Sequence, residues 1–162
     1  MRQHALPRFS VAAALCAALA ACAPMGGGVT RVATPMAVDA ARAAAVVSAY
    51  RAAHGLGPVR VDASLMAVAG AQARAMARAD RLDHSVAGSF GARIEAGGVG
   101  TSNAVENVAG GYRDLRSVIE GWEASPEHDA NLLAPAVTRL GIAAFHSAGS
   151  RLDPYWSLDM AR

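Results

Sequence analysis

Two stretches decide how this chain is interpreted: Ala-Val-Glu-Asn-Val-Ala at residues 104–109, and Ser-Pro-Glu-His-Asp-Ala-Asn-Leu-Leu at residues 125–133. The first predicts a strand that carries polar side chains within an apolar run. In the second, Ser125 and Pro126 are suited to the N-cap and first position of a short helix that ends near Leu133. The preceding helix must end near Ser125, because proline disfavours helical geometry in the residue before it.

Outward from these stretches, the apolar spacing predicts more helices and a C-terminal hairpin. The helices are expected over Val38–His54, from an Asp62 cap to about Ala79, from a Ser89 cap through Ile94, and from Asp114 to about Ser125. The strands of the hairpin are expected over Leu140–His146 and Tyr155–Met160. This order predicts an α+β fold, an α/β/α sandwich in which helices cover a small, mostly antiparallel sheet.

Length and charge restrict the class of protein. A chain of 162 residues is expected to form one domain. All 15 basic residues are arginine, and 13 of them follow residue 21, against 13 acidic residues. This balance, with arginines spread evenly, argues against nucleic-acid binding, which needs a clustered basic surface. No apolar run of about 20 residues follows the N-terminal segment, so no transmembrane helix is predicted there.

The first 21 residues have the pattern of an export signal. A short basic region carries Arg2 and Arg8, and an uncharged apolar region follows over residues 11–21. It ends in Leu19-Ala20-Ala21-Cys22, which resembles the bacterial lipobox, whose cysteine is acylated and becomes the N-terminus. Cleavage after an Ala-x-Ala site with ordinary secretion is the alternative. The lipobox predicts a lipoprotein anchored to the cell envelope, at the outer membrane if the source is Gram-negative.

The cysteine count agrees with this interpretation. Cys16 lies in the signal and Cys22 would carry the lipid, so the remainder has neither a thiol nor a disulfide. Residues 22–36 contain Gly26-Gly27-Gly28 and are predicted to be a flexible tether. The folded domain is expected over residues 37–162, as a monomer that needs neither disulfide nor metal to fold.

Several segments together resemble a known family. They are Tyr50-Arg51-Ala52-Ala53-His54-Gly55-Leu56, Asp83-His84-Ser85, Glu106-Asn107-Val108-Ala109-Gly110, residues 125–133 with Trp122 before them, Gly141-Ile142-Ala143 and Tyr155-Trp156. In this order they are similar to the CAP superfamily of cysteine-rich secretory, antigen 5 and pathogenesis-related 1 proteins, and to its cysteine-free bacterial branch. The resemblance covers about residues 37–162 and implies an α/β/α sandwich with an open cleft.

The resemblance also implies a site. Its His/Glu constellation corresponds here to His84, Glu106 and His128, while Ser125 stands where the eukaryotic branch has a further glutamate. Two imidazoles and a carboxylate suit zinc or a similar divalent ion, bound weakly through three ligands. Glu127 is expected beside this cleft and is a conceivable base. Asp129, on the other side of His128, adds negative charge there.

Three interpretations of these residues stay open: a polar cluster that ties the fold together, a fortuitous metal site, and a catalytic centre. The sequence has no HExxH, GxSxG or P-loop motif. The leading hypothesis is therefore a binding module whose open cleft takes an envelope lipid, glycan or peptide. The alternatives are a metal-dependent hydrolase that uses His84, Glu106 and His128, and an interaction protein with an idle cleft. Arg93 is expected to pair with an acidic group near the cleft.

Overall fold

The computed structural model describes residues 31–101 and 103–162. Within these ranges the elements follow one another as β1 (Thr34–Met36), α1 (Ala40–Ala53), β2 (Arg60–Val61), α2 (Ala63–Ala79), α3 (Phe90–Ala96), β3 (Ala104–Gly110), α4 (Leu115–Glu123), α5 (Pro126–Leu132), β4 (Arg139–His146) and β5 (Tyr155–Ala161). None of the helices in these ranges has both the length and the apolar character needed to cross a membrane.

Helix starts follow the capping residues that the sequence indicated. The side chain at the N-cap of each of the first four helices accepts a hydrogen bond from a backbone N–H in the first turn, which satisfies a donor that the helix itself leaves unpaired. These caps are Asp39, Asp62, Ser89 and Asp114, at 2.9, 3.0, 3.4 and 2.8 Å. The predicted caps of α2, α3 and α4 are thereby confirmed.

The strands form one sheet in the order β1-β4-β5-β3, and β2 adds a short parallel pairing to the start of β4. The other pairings are antiparallel. The predicted mixed fold with a mostly antiparallel sheet is confirmed, and β4–β5 is the predicted hairpin. Two short strands were not foreseen. One of them, β1, lies inside the predicted tether, so the folded part begins before residue 37: β1 pairs with the end of β4.

Alternation along β5 separates the two faces of the sheet. Trp156, Leu158 and Met160 point to the core beneath α1, α4 and α5. Tyr155 and Ala161 point to the side of α2 and α3. Gly141 on β4 allows α2 to pack directly on the sheet, because a Cβ there would lie 2.1 Å from the backbone of Leu65.

Three large aromatic residues lie in the core. Trp122, Tyr155 and Trp156 are almost completely buried. The indole N–H of Trp156 donates to the carbonyl of Tyr112 at 2.7 Å. Two further described histidines lie at the ends of elements. His54 ends α1 with its Nδ1 2.9 Å from the Tyr50 carbonyl, and His146 is half exposed at the end of β4.

Candidate functional site

The centre of the site is Glu106 on β3. Its side chain is almost fully buried, on the face covered by α2 and α3. One carboxylate oxygen lies 2.8 Å from Nδ1 of His84, and the other accepts from Nη2 of Arg93. The predicted pairing of Arg93 with an acidic group is thereby confirmed, and that group is Glu106.

The His84 imidazole has one end fixed and the other open. Its side chain is 57% exposed, whereas the Glu106 side chain beneath it is 2% exposed. An ionised carboxylate only accepts hydrogen bonds, so Nδ1 carries the proton in this pair. The second ring nitrogen, Nε2, is then an acceptor in the neutral imidazole and a donor in the charged one.

The segment that carries His84 is fastened from beneath. Arg93 donates through Nη1 to the carbonyls of His84, at 2.8 Å, and Gly88. Gln72, which is fully buried in α2, donates to the carbonyl of Asp83 at 2.7 Å and accepts from the N–H of Ala87 at 3.2 Å. The exposed imidazole thus stands on a loop whose backbone is tied to two helices.

His128 is held by different contacts. Its Nδ1 lies 2.8 Å from Oγ of Ser125, and its carbonyl accepts from Asn107 at 3.0 Å. Asn131 donates to the side chain of Asn107 at 2.8 Å and to the carbonyl of Glu106 at 3.1 Å, which fixes α5 to β3. Ser125 occupies the N-cap position without capping the backbone, because its hydroxyl is paired with the ring of His128.

β3 separates the groups that hold the two histidines. Glu106 points to the α2 face and its neighbour Asn107 to the α5 face, since successive side chains alternate along a strand. Within residues 31–101 and 103–162, no three His, Cys, Asp or Glu side chains could together hold one metal ion. The three-ligand set of His84, Glu106 and His128 anticipated from the family is therefore not formed here, and these residues do not fit it.

The acidic residues beside His128 make no contact with Glu106 among the described hydrogen bonds. Asp129 accepts a 2.6 Å hydrogen bond from the hydroxyl of Tyr50 on α1, and this bond is the main reason that the pKa of Tyr50 is raised to about 12. Glu127 is exposed on α5, and no hydrogen bond joins it to another described residue. Its predicted place in the cleft stays a prediction.

A further carboxyl group of the site was not singled out from the sequence. Asp159 on β5 is completely buried and lies directly opposite Glu106 in the antiparallel pair. No described N–H or O–H group donates to either of its carboxylate oxygens, and the carboxylate of Glu106 is the group with which it can share a proton. Burial, and then the charge of Glu106, raise the pKa of Asp159 well above its ordinary value, while Arg93 opposes the shift. The signal in the sequence was a lone aspartate in the apolar strand Tyr-Trp-Ser-Leu-Asp-Met-Ala.

Comparison with known proteins agrees with this fold and its motifs. The sequence profile of the cysteine-rich secretory protein family, CAP, matches residues 44–160. The chain belongs to the CAP family. An uncharacterized protein of Bacillus subtilis (strain 168), YkwD, is 29% identical over 104 residues, which are 63% of this chain and 40% of that protein. This CAP chain thus spans less than half the length of that relative.

Two solved structures are similar to this chain over most of its length. An extracellular protein of Bacillus anthracis str. Ames that contains an SCP domain is 25% identical, with a TM-score of 0.65 over 75% of this chain and 39% of that one. An outer surface protein of Borrelia burgdorferi is 16% identical, with a TM-score of 0.68 over 80% of this chain and 98% of that one. The second likeness concerns the fold alone.

Proposed function

We propose that this CAP domain is a binding module of the cell envelope, anchored through a lipid on Cys22, which takes an envelope ligand at His84. The observation that carries the proposal is an imidazole more than half exposed above a buried carboxylate. A histidine that served only to satisfy Glu106 would have no need to present its second nitrogen to solvent. Arg93 already pairs with the same carboxylate.

The orientation of the ring favours one ligand chemistry. With Nδ1 donating to Glu106, Nε2 of the neutral ring accepts a hydrogen bond from outside. Hydroxyl and amide groups supply such donors, and glycans and peptides present many of them. Among lipid, glycan and peptide ligands, we therefore favour a glycan or a peptide. The exported character of relatives, named as extracellular or outer surface proteins, supports an envelope location.

A titration with defined peptidoglycan fragments tests the binding site. Soluble disaccharide-peptides are added to the protein, and the imidazole proton resonances of each histidine are followed by NMR. We expect the His84 resonances to move with saturation, and we expect His84→Ala to weaken the binding. His146→Ala is the matched control, because His146 is also half exposed and also contacts a carboxylate, that of Asp153, at 3.2 Å.

Equal affinity of the His84→Ala and wild-type proteins would contradict a ligand site at His84. Binding of phospholipid micelles with the same His84 dependence, in place of the disaccharide-peptides, would keep the site and change the ligand to a lipid. Loss of affinity in both alanine variants would mean that the fragments bind elsewhere, through nonspecific contacts.

The anchor is tested separately. Leu19-Ala20-Ala21-Cys22 is the feature that supports it, and two or more acyl chains give stable membrane attachment, whereas one gives marginal binding. Mass spectrometry of the membrane fraction should find the acyl groups on Cys22. Cys22→Ser should release the protein or leave a longer precursor. Unchanged detergent partitioning of that variant would contradict acylation.

Nothing in the site favours the metal-dependent hydrolase over this proposal. Both oxygens of Glu106 are engaged by His84 and Arg93, and Nδ1 of His128 is engaged by Ser125. We therefore do not advance the hydrolase.

A further inference from the structure

The C-terminal half of α2 presents two arginines to solvent. Arg74 and Arg78 lie one turn apart on an exposed face of the helix, and no described carboxylate is within ion-pair distance of either. They flank a shallow groove of about 460 Å³ with a floor of small apolar side chains, Ala71, Ala75, Ala79 and Val86. The guanidinium of Arg74 lies 5.1 Å above the ring of Phe145, which holds its stem against the domain.

The chain enters the domain beside this face. The backbone N–H of Arg31 donates to the carbonyl of Arg78 at 3.0 Å, and its guanidinium pairs with Asp80 at 3.1 Å. Cys22 precedes Arg31 by nine residues, a length of chain that reaches at most about 30 Å. An anchor at Cys22 would therefore keep this end of α2 close to the bilayer.

The two sides of the sheet also differ in charge. α2 and the turns beside it, residues 62–83, contain three arginines and three carboxylates, and both arginines of the helix itself are exposed. Residues 113–129, which form α4, most of α5 and the turns beside them, contain five carboxylates and two arginines. An anionic surface would therefore repel the α4–α5 side and meet Arg74 and Arg78 on the α2 side.

We propose that the exposed face of α2, through Arg74 and Arg78, rests on the anionic phospholipid headgroups of the membrane that holds the protein. This inference rests on the anchoring part of the proposed function and not on its ligand site. The tether raises the local concentration of headgroups at the arginines. Contacts that are too weak to bring a free protein to the membrane can therefore set the orientation of a protein that is already anchored there. The loop that carries His84 follows directly after α2.

The orientation is measured on vesicles with single fluorescent labels. The protein used is residues 23–162 with an N-terminal hexahistidine, which binds nickel-chelating lipid and so replaces the lipid on Cys22 as the tether. This part of the chain contains no cysteine, so each introduced cysteine takes a single label. Ala71→Cys places a label on α2, and Ala45→Cys places one on the exposed side of α1, across the sheet. The vesicles are phosphatidylcholine, with or without about one quarter phosphatidylglycerol, and carry a headgroup nitroxide quencher.

On anionic vesicles we expect quenching of the Ala71 label to exceed that of the Ala45 label severalfold. On neutral vesicles and at high salt the excess should fall to the smaller difference that the tether alone gives, because salt screens exposed charges. Arg74→Gln with Arg78→Gln should lower it to the same level on anionic vesicles. The matched control, Arg113→Gln with Arg116→Gln, makes the same change in net charge on the other side and should leave the excess intact.

Equal quenching of the two labels on anionic vesicles would overturn the proposal, as would an excess that is undiminished in the α2 double variant. An equal loss in both double variants would show a response to net charge instead of a docking face, which also overturns it. Thermal unfolding of each variant checks that it is folded. Because the nickel-chelating lipid supplies the tether, an unacylated Cys22 would refute the proposed anchor without affecting this measurement.

Discussion

Two buried arginines on opposite sides of the sheet show what distinguishes a structural polar group from one that belongs to a site. Arg51, on α1, donates only to backbone carbonyls: those of Gly57, Leu132, Ala134 and Val137, at 2.9, 2.7, 2.9 and 3.1 Å. Arg93, on α3, donates to two loop carbonyls and to the carboxylate of Glu106.

The difference lies in where each network ends. The contacts of Arg51 end on backbone carbonyls of the loop after α1 and of residues 132–137, so they hold these segments together and reach no exposed side chain. The contacts of Arg93 continue through Glu106 to an imidazole in solvent, with the unpaired carboxyl of Asp159 beside them. A buried charge is therefore a weak indicator of function, and its connection to an exposed reactive group is the stronger one.

The largest expected effect comes from breaking the closed network. Arg51→Met should lower the free energy of unfolding by about 4 kcal/mol, because the buried carbonyls of Leu132 and Val137 lose a charged donor at a cost of about 1–3 kcal/mol each, and two part-buried carbonyls lose one that water replaces only in part. Arg51→Lys should recover only part of this loss, since one ammonium has three donors and cannot reach all four carbonyls. Urea unfolding of both variants measures this.

Arg60→Met is the matched control, because Arg60 is exposed in β2, and it should change the stability by less than about 0.5 kcal/mol. A loss in Arg51→Met no greater than in this control would show that the Arg51 network does not hold the fold together.

The second effect comes from the network that reaches the site. Arg93→Met removes the cation from two facing buried carboxyl groups, and breaking such a pair costs about 3–5 kcal/mol when a charge is left alone. We expect less, about 2–4 kcal/mol, because Glu106 and Asp159 can share a proton. The loss should grow with rising pH, as the shared proton becomes harder to retain. A loss independent of pH between 5 and 8 would mean that the carboxyls do not interact.

The helices and the hairpin of the sandwich could be predicted from the sequence because their signals are local. Caps such as Asp62 and Asp114, and the helix break at Pro126, act locally, so they can be read from neighbouring residues. The short strands β1 and β2 could not be found in this way. Thr34–Met36 and Arg60–Val61 have little apolar pattern of their own, and only pairing with β4 makes them strands.

The site was predictable in part for the same reason. Motifs indicated His84, Glu106 and Arg93, which contact one another and lie within 23 residues of the sequence. They did not place His128, because its ring orientation depends on the competing hydroxyl of Ser125. Asp159 was missed because its importance comes from the register of β3 against β5, which puts it opposite Glu106.

The third substitution should stabilise the protein, whereas the first two destabilise it. Asp159→Asn should raise the free energy of unfolding at pH 7 by about 1–3 kcal/mol, because a neutral amide need not take up a proton when the chain folds, and each unit by which folding raises the pKa of a carboxyl corresponds to about 1.4 kcal/mol. A carboxyl whose pKa is raised by folding holds its proton more tightly in the folded state, so stability falls as the pH rises from the ordinary Asp pKa toward the raised one. The gain should therefore disappear below about pH 4.

Thermal unfolding of the wild-type and Asp159→Asn proteins between pH 3 and pH 8 checks this sign. Asp153→Asn is the control, because Asp153 is exposed and paired with His146 and should not reproduce the gain. If Asp159→Asn destabilises the protein at neutral pH, the Asp159 carboxyl is satisfied by a partner, and the buried pair with Glu106 is not a source of strain.

The smallest effect on stability should come from His84, where the buried network meets solvent. His84→Gln should change the free energy of unfolding by less than about 0.5 kcal/mol, because water replaces a contact of an exposed ring while Arg93 keeps Glu106 paired. The same variant should weaken binding of the disaccharide-peptides about tenfold, which corresponds to about 1.4 kcal/mol. Arg51→Lys, if folded, should show the reverse: lower stability and unchanged affinity. Measuring both quantities on both variants sharpens the comparison between the networks. If His84→Gln costs as much stability as Arg93→Met and leaves affinity unchanged, both networks serve only the fold.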